Sequence, residues 1–240
     1  SSAVPHLVDA VYRQGRVEEA LQMTERWPPE RLTTPEDVDA HVGWRRVRAK
    51  AVARRGDLDA SVGVVVSSRA DAGGLQHAHE AGIETVVLSP RAFPSREAYD
   101  RALVVELERR RVEVVCLAGF MRLLTAGFVD AWRDRLINIH PSLLPKFPGL
   151  DTHKRALEAG ETHAGCSVHF VRTEMDSGPL LVQAAVPVLP GDDEDRLAAR
   201  VLQAEHRAYP LALSLVAAGR VRVAGEQALI DGQPGPVRLD

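Results

Sequence analysis

From residue 61 onward, short apolar runs alternate with helical segments, and this alternation constrains the fold more than any other feature. Ser61–Ser67 is a β-branched run. Ala72–Ala81 reads as a short helix closed by Gly82, and Thr85–Leu88 as another strand. Ser95–Arg111 reads as a long amphipathic helix, with Ser95 as its N-cap and Glu97 and Glu106 near its ends. Val112–Leu117 is a nearly continuous apolar strand. Leu136–Ile139, Ala164–Val171 and Leu180–Val188 follow, and Asp192–Ala218 closes the pattern as a long helix. Continuous apolar strands separated by helices predict an α/β class: a mostly parallel, Rossmann-like sheet with helices on both faces. Such sheets take ligands at the carboxyl ends of their strands.

Bulk numbers bound the rest. The 240 residues suffice for one large or two small domains, and 45% hydrophobic with 26% charged residues is ordinary for a soluble globular chain. A net charge of −3 gives no electrostatic reason to expect a nucleic acid. No apolar run approaches the roughly 20 residues of a membrane span, and no signal pattern opens the chain. Cys116 and Cys166 sit in strand-like apolar contexts and read as buried free thiols of a cytoplasmic protein. No spaced His/Cys/Asp cluster suggests a metal. The opening Ser1-Ser2, without Met, suits a fragment or a processed product.

Residues 1–60 differ in texture. Val4–Gln14 has helical spacing, Gly15–Arg26 restarts a helix, and Pro28, Pro29 and Pro35 break it. Glu36–Arg55 is again helical, and Gly56–Ala60 repeats the turn of Gly15–Ala20 about 41 residues on. Those turns weakly resemble tetratricopeptide-like repeats. The expected division is a helical segment, 1–60, repeat-like or inserted and a possible surface for protein contacts, followed by an α/β domain, 61–240.

Chemistry concentrates at residues 137–148, Ile-Asn-Ile-His-Pro-Ser-Leu-Leu-Pro-Lys-Phe-Pro. On a strand, Asn138 and His140 point to one face. An amide able to hold an oxyanion beside an imidazole able to move a proton makes a plausible acyl-transfer pair. Further on, Glu174-Met175-Asp176-Ser177-Gly178-Pro179 places a carboxylate on a Gly-Pro turn, giving a candidate partner for His140.

Together with Ser95–Asp100, Leu117–Leu124, Gly165–Val171 and Glu205–Pro210, these segments resemble the glycinamide ribonucleotide formyltransferase family over roughly residues 61–225. The resemblance implies the formyltransferase fold and transfer of a formyl group from 10-formyltetrahydrofolate to the amine of glycinamide ribonucleotide, in purine biosynthesis. It implies Asn138, His140 and Asp176 as the catalytic set, with Asp176 favouring the imidazolium form of His140. It also implies a folate site built from Arg96, Met121, Arg122, Leu123, Leu124, Asn138 and the loop Arg172, Thr173, Glu174, Met175 and Asp176. Glu205 takes the ribose contact. The partners are small molecules, with no metal, nucleic acid or membrane. His153 matches the motif region without an assigned role, and His77, His79 and His169 show no ligand-like partners.

The family normally opens with a strand and a Gly- and Ser-rich loop that wraps the phosphate. Neither precedes residue 61. Two other outcomes therefore stand beside formyl transfer. One is formyltetrahydrofolate hydrolysis, with water as acceptor. The other is a non-catalytic fusion or interaction protein that has lost the acceptor site.

Overall fold

The computed structural model describes residues 60–120 and 122–240. The helical and repeat-like readings of residues 1–59, and the replacement of the family's opening strand and loop there, lie outside the described residues, as does Met121. The chain divides into two compact units between Val112 and Glu113.

In the first unit, β1 (Val64–Ser67) and β2 (Glu84–Val87) pair in parallel, joined through helix α1 (Gly73–Glu80). Gly82 ends the α1 connection with φ +65°, a backbone state that glycine takes without a Cβ penalty. Helix α2 (Arg96–Arg109) starts where Ser95 Oγ accepts a hydrogen bond from the Ala98 amide at 3.2 Å, the expected N-cap. Its end is tied down by Arg110, which pairs with Glu106 and with Glu84 of β2.

In the second unit, five strands form one sheet in the order β10-β6-β5-β4-β3. They are β3 (Val115–Cys116), β4 (Leu136–His140), β5 (His163–Phe170), β6 (Leu180–Pro187) and β10 (Val237–Leu239). β3 runs parallel to β4, and β6 parallel to β10, but β5 runs antiparallel to both its neighbours. The α/β class holds, and the sheet is mixed about this one reversed strand. Short helices α3 (Ala126–Ala131) and α4 (Thr152–Glu158) flank β4 in sequence, and helix α5 (Glu194–Ala217) packs along β5 and β6. Asp193 caps α5 by accepting from the Arg196 amide at 2.8 Å. Leu197, Val201, Ala204, Ala208, Ala212 and Leu215 repeat at helical spacing and are all buried in the core with Cys166, Val168, Leu181 and Val182. A three-stranded antiparallel sheet of β7 (Val221–Ala224), β8 (Gln227–Ile230) and β9 (Gln233–Pro234) follows α5.

Two expectations change. The strand expected over Val112–Leu117 shrinks to Val115–Cys116. Among the described residues β3 pairs only with β4, through Val115 and Cys116 against Leu136 and Ile137. Cys116 has exposed surface at the sheet margin, yet the protein packed around its sulfur pushes the thiol up to about 11; Cys166 on β5 is fully buried.

Candidate active site

β4 delivers Asn138 and His140 to one face, as the two-residue spacing predicts. The antiparallel register adds two more residues opposite them. His169 is paired with Asn138, and Ser167 with His140. Directly opposed residues of an antiparallel pair share a face, so four polar side chains of two strands converge there.

His140 is almost fully buried. Its Nδ1 lies 3.3 Å from Asp176 Oδ2, and its Nε2 lies 2.9 Å from the Phe147 carbonyl oxygen. A carbonyl oxygen can only accept, so the Phe147 contact holds Nε2 as a donor, and the Asp176 carboxylate lies beside Nδ1. Exchange of a proton with a substrate through Nε2 requires the Phe147 bond to open. Asp176 also accepts the Gly149 amide at 2.8 Å, so it ties the loop after β4 to the loop after β5. Its backbone sits at φ +52°, a left-handed conformation that turns the carboxylate back toward the strands.

The loop that follows His140 is fixed by a buried network. Ser167 Oγ donates to the Ser142 carbonyl at 2.7 Å and accepts from the Leu144 amide at 3.0 Å. Gln183 on β6 donates from Nε2 to the Leu144 carbonyl and to Ser167 Oγ, each at 2.9 Å. Such a satisfied network holds one loop conformation. Arg155 of α4 adds a bond to the Pro148 carbonyl at 2.6 Å.

His169, which showed no ligand-like partner in the sequence, lies beside the same carboxylate. Its Nε2 lies 3.9 Å from Asp176 Oδ1, while its Nδ1 is 2.9 Å from the Phe170 carbonyl. Burial, which disfavours the charged ring, pushes its pKa below the ordinary value, and Asp176 opposes that only in part. The period-two pattern of Gly165–Val171 carried a signal for it, but the register against Asn138 did not follow from sequence. His153 on α4 is likewise held below its ordinary pKa, first by burial and then by the neighbouring charge of His140.

The remaining expected site residues divide. Thr173, Glu174 and Met175 are exposed on the loop before Asp176, and a Cβ on Gly149 would sit 3.6 Å from Met175 Sδ. Leu150 is exposed in the loop after β4. Arg172 is buried, and its guanidinium is held by Asp134 and Glu226. Arg122 and Leu123 are exposed and Leu124 half-buried, just before α3. Glu205 is a buried carboxylate on α5. One turn further, Tyr209 Oη donates to the Leu117 and Ile137 carbonyls at 2.8 and 3.2 Å, docking α5 on the end of β3 and the start of β4. Arg96 is exposed at the start of α2, in the first unit. Among the described residues no group of three or more His, Cys, Asp or Glu side chains is placed to hold a metal. No described helix is long and apolar enough to cross a membrane.

A strand-end Asn and His with a carboxylate on the imidazole is the equipment of acyl transfer, and comparison with known proteins places it in a family. The family model described as formyl transferase matches residues 47–213. The chain is 51% identical over 179 residues to phosphoribosylglycinamide formyltransferase of Escherichia coli, covering 75% of this chain and 84% of that one. It is 56% identical over 167 residues to the trifunctional purine biosynthetic protein adenosine-3 of Drosophila pseudoobscura pseudoobscura, spanning 70% of this chain but only 12% of that protein's length. The phosphoribosylglycinamide formyltransferase structure from Coxiella burnetii, in complex with CHES, superimposes with a TM-score of 0.77 at 41% identity, covering 82% of this chain and 94% of that one. The chain belongs to the formyl transferase family. The match begins inside the segment that the sequence set apart, and the tetratricopeptide-like reading draws no support from these comparisons.

Proposed function

We propose that the chain transfers the formyl group of 10-formyltetrahydrofolate to the amine of glycinamide ribonucleotide, a step of purine biosynthesis. The observation that carries this reading is the His140–Asp176 contact of 3.3 Å at the end of the strand that also presents Asn138. The amine nitrogen attacks the formyl carbon, and the carbonyl oxygen becomes an oxyanion. The Asn138 amide is the group to donate to that oxygen. His140 takes part in moving the proton from the attacking nitrogen to N10 of the folate as the C–N10 bond breaks. Asp176 orients the ring and balances its charge when protonated. Exposed Met175 and Leu150 on the two loops tied by Asp176 offer apolar surface to the flat pterin, with the backbone of residues 172–176 beside it. Arg96, Met121, Arg122, Leu123 and Leu124 belong to the same folate site by resemblance, and Glu205 to the ribose. No metal enters this scheme, and the work of the site is proton transfer and oxyanion stabilisation in the cytoplasm.

The test is incubation of the purified chain with 10-formyltetrahydrofolate, with and without glycinamide ribonucleotide, scoring formylated ribonucleotide and free formate. Formylated product supports the reading. Formate without formylated product identifies a hydrolase instead, and no turnover of either kind identifies a non-catalytic protein.

A further inference from the structure

Arg172 leads the loop that carries Asp176, yet its guanidinium does not face that loop's tip. Nε donates to Glu226 Oε2 at 2.8 Å and Nη2 to Asp134 Oδ1 at 2.7 Å, with the side chain only 8% exposed. Nη1 donates to the Val171 carbonyl at 3.2 Å. Glu226 lies in the turn between β7 and β8 and also accepts from Arg133 at 3.1 Å. Asp134 lies just before β4, in a left-handed turn at φ +57°. Two cations and two carboxylates make the cluster neutral, so it holds no surplus positive charge for an anionic ligand. A planar guanidinium bonded on two edges by partners from two different elements has one orientation, which a lysine cannot reproduce.

The far side of the loop returns close to its start, leaving no room for a side chain at Gly178. A Cβ on Gly178 would meet the Phe170 carbonyl oxygen at 1.7 Å and Arg172 Cγ at 3.2 Å. The segment between Arg172 and Gly178 is thus pinched shut at its base, and Asp176 is set near its tip. From there Asp176 reaches His140 Nδ1 and the Gly149 amide.

We propose that Arg172, clamped between Asp134 and Glu226, is a positioning residue that sets Asp176 against His140, so that the β7–β8 turn supports catalysis without touching substrate. The inference rests on the formyl-transfer reading above. Residues 134 and 226 are distant from 172 in sequence and partly exposed, at 39% and 58% of their side chains, so both can be altered without opening the core.

The test is the double variant Asp134→Asn/Glu226→Gln, made in the wild-type chain and in an Asp176→Asn chain. Displacing a catalytic carboxylate by a fraction of an ångström lowers kcat by about ten-fold in the wild-type background. In the Asp176→Asn background the same double variant causes no further loss, because the group it positions is gone. Arg172→Lys, which retains charge but serves one carboxylate, falls between. Unchanged kcat in the double variant, or an equal loss in both backgrounds, overturns the proposal. Amide hydrogen exchange over residues 173–178 is measured alongside, and faster exchange in the double variant is expected. Should the wild-type chain transfer no formyl group, the functional reading falls alone. The exchange result then decides the clamp: unchanged protection overturns it, and lost protection upholds it as a loop anchor.

Discussion

β1 and β2 in the first unit, and β5 and β6 in the second, are all strands that carry no Asp, Glu, Lys or Arg except Glu84 at the start of β2. They finish differently. In β5 seven of eight residues are buried, and β6 is buried along most of its length. In β1 only Val65 is buried, and β2 has no buried residue. β5 and β6 each have a strand on both sides and the apolar stripe of α5 across them. Among the described residues β1 and β2 pair only with each other. An apolar run therefore specifies a strand, while its partners specify how much apolar surface leaves water. The candidate site residues Asn138, His140 and Asp176 stand beside the well-covered pair, on β4 and on the loop between β5 and β6.

The comparison can be broken in several ways. The largest expected effect is chemical. His140→Ala lowers kcat for formyl transfer by about 10³-fold or more, and Asp176→Asn by about 10–100-fold. Steady-state kinetics at saturating donor checks both, and unchanged turnover removes the role given to that residue. Next comes backbone crowding. A Cβ on Gly165 of β5 would sit 2.0 Å from the Ala184 carbonyl oxygen, whereas one on Gly63 beside β1 meets nothing within 4 Å. Gly165→Ala is expected to destabilise by about 3 kcal/mol and Gly63→Ala by well under about 1 kcal/mol, in urea unfolding. Similar costs at the two sites would mean that β1 is as tightly enclosed as β5.

Cavity formation sharpens the same contrast. Leu181→Ala, at a fully buried position of β6, is expected to cost about 3 kcal/mol, and Val66→Ala, at a half-buried position of β1, about 1 kcal/mol or less. Equal midpoints for the two variants would remove the distinction. The smallest effect is pH-dependent. His169 and His153 have folded-state pKa values below the ordinary 6.5. The unfolded chain therefore binds protons more readily there. Their contribution is fully present above pH 6.5 and is lost as pH falls toward the lowered folded values. The loss is at most about 2 kcal/mol per histidine between pH 6.5 and 5. His169→Gln should flatten the acid limb of the stability curve, and an unchanged slope would show that the folded chain accepts that proton freely.

The legible parts were those governed by local rules. Ser95 capped α2 as its hydroxyl and position predicted, and α5 runs within two residues of its expected limits. Asn138 and His140 share a face because a strand repeats every two residues. Less was readable wherever distant segments meet. β5 reads as one more apolar strand, and its reversal follows from which strands it joins. His169 becomes part of the site only through its register with Asn138. The alternation read from the sequence stops at Ala218, and the residues after Gly219 form β7 to β10. Arg172 read as a folate-loop residue, and the positions of Asp134 and Glu226 decide where its charge is spent.

Sequence by itself determined the alternation of strands and helices, the helix caps, and the placement of an amide and an imidazole on one strand face. Each depends on backbone geometry within a few residues. Tertiary structure alone decided the contact of His140 with Asp176, the burial that keeps His169 low in pKa, and the clamp on Arg172. Those depend on loop closure over tens of residues, where register and partner choice are set by packing the whole sheet rather than by any local preference.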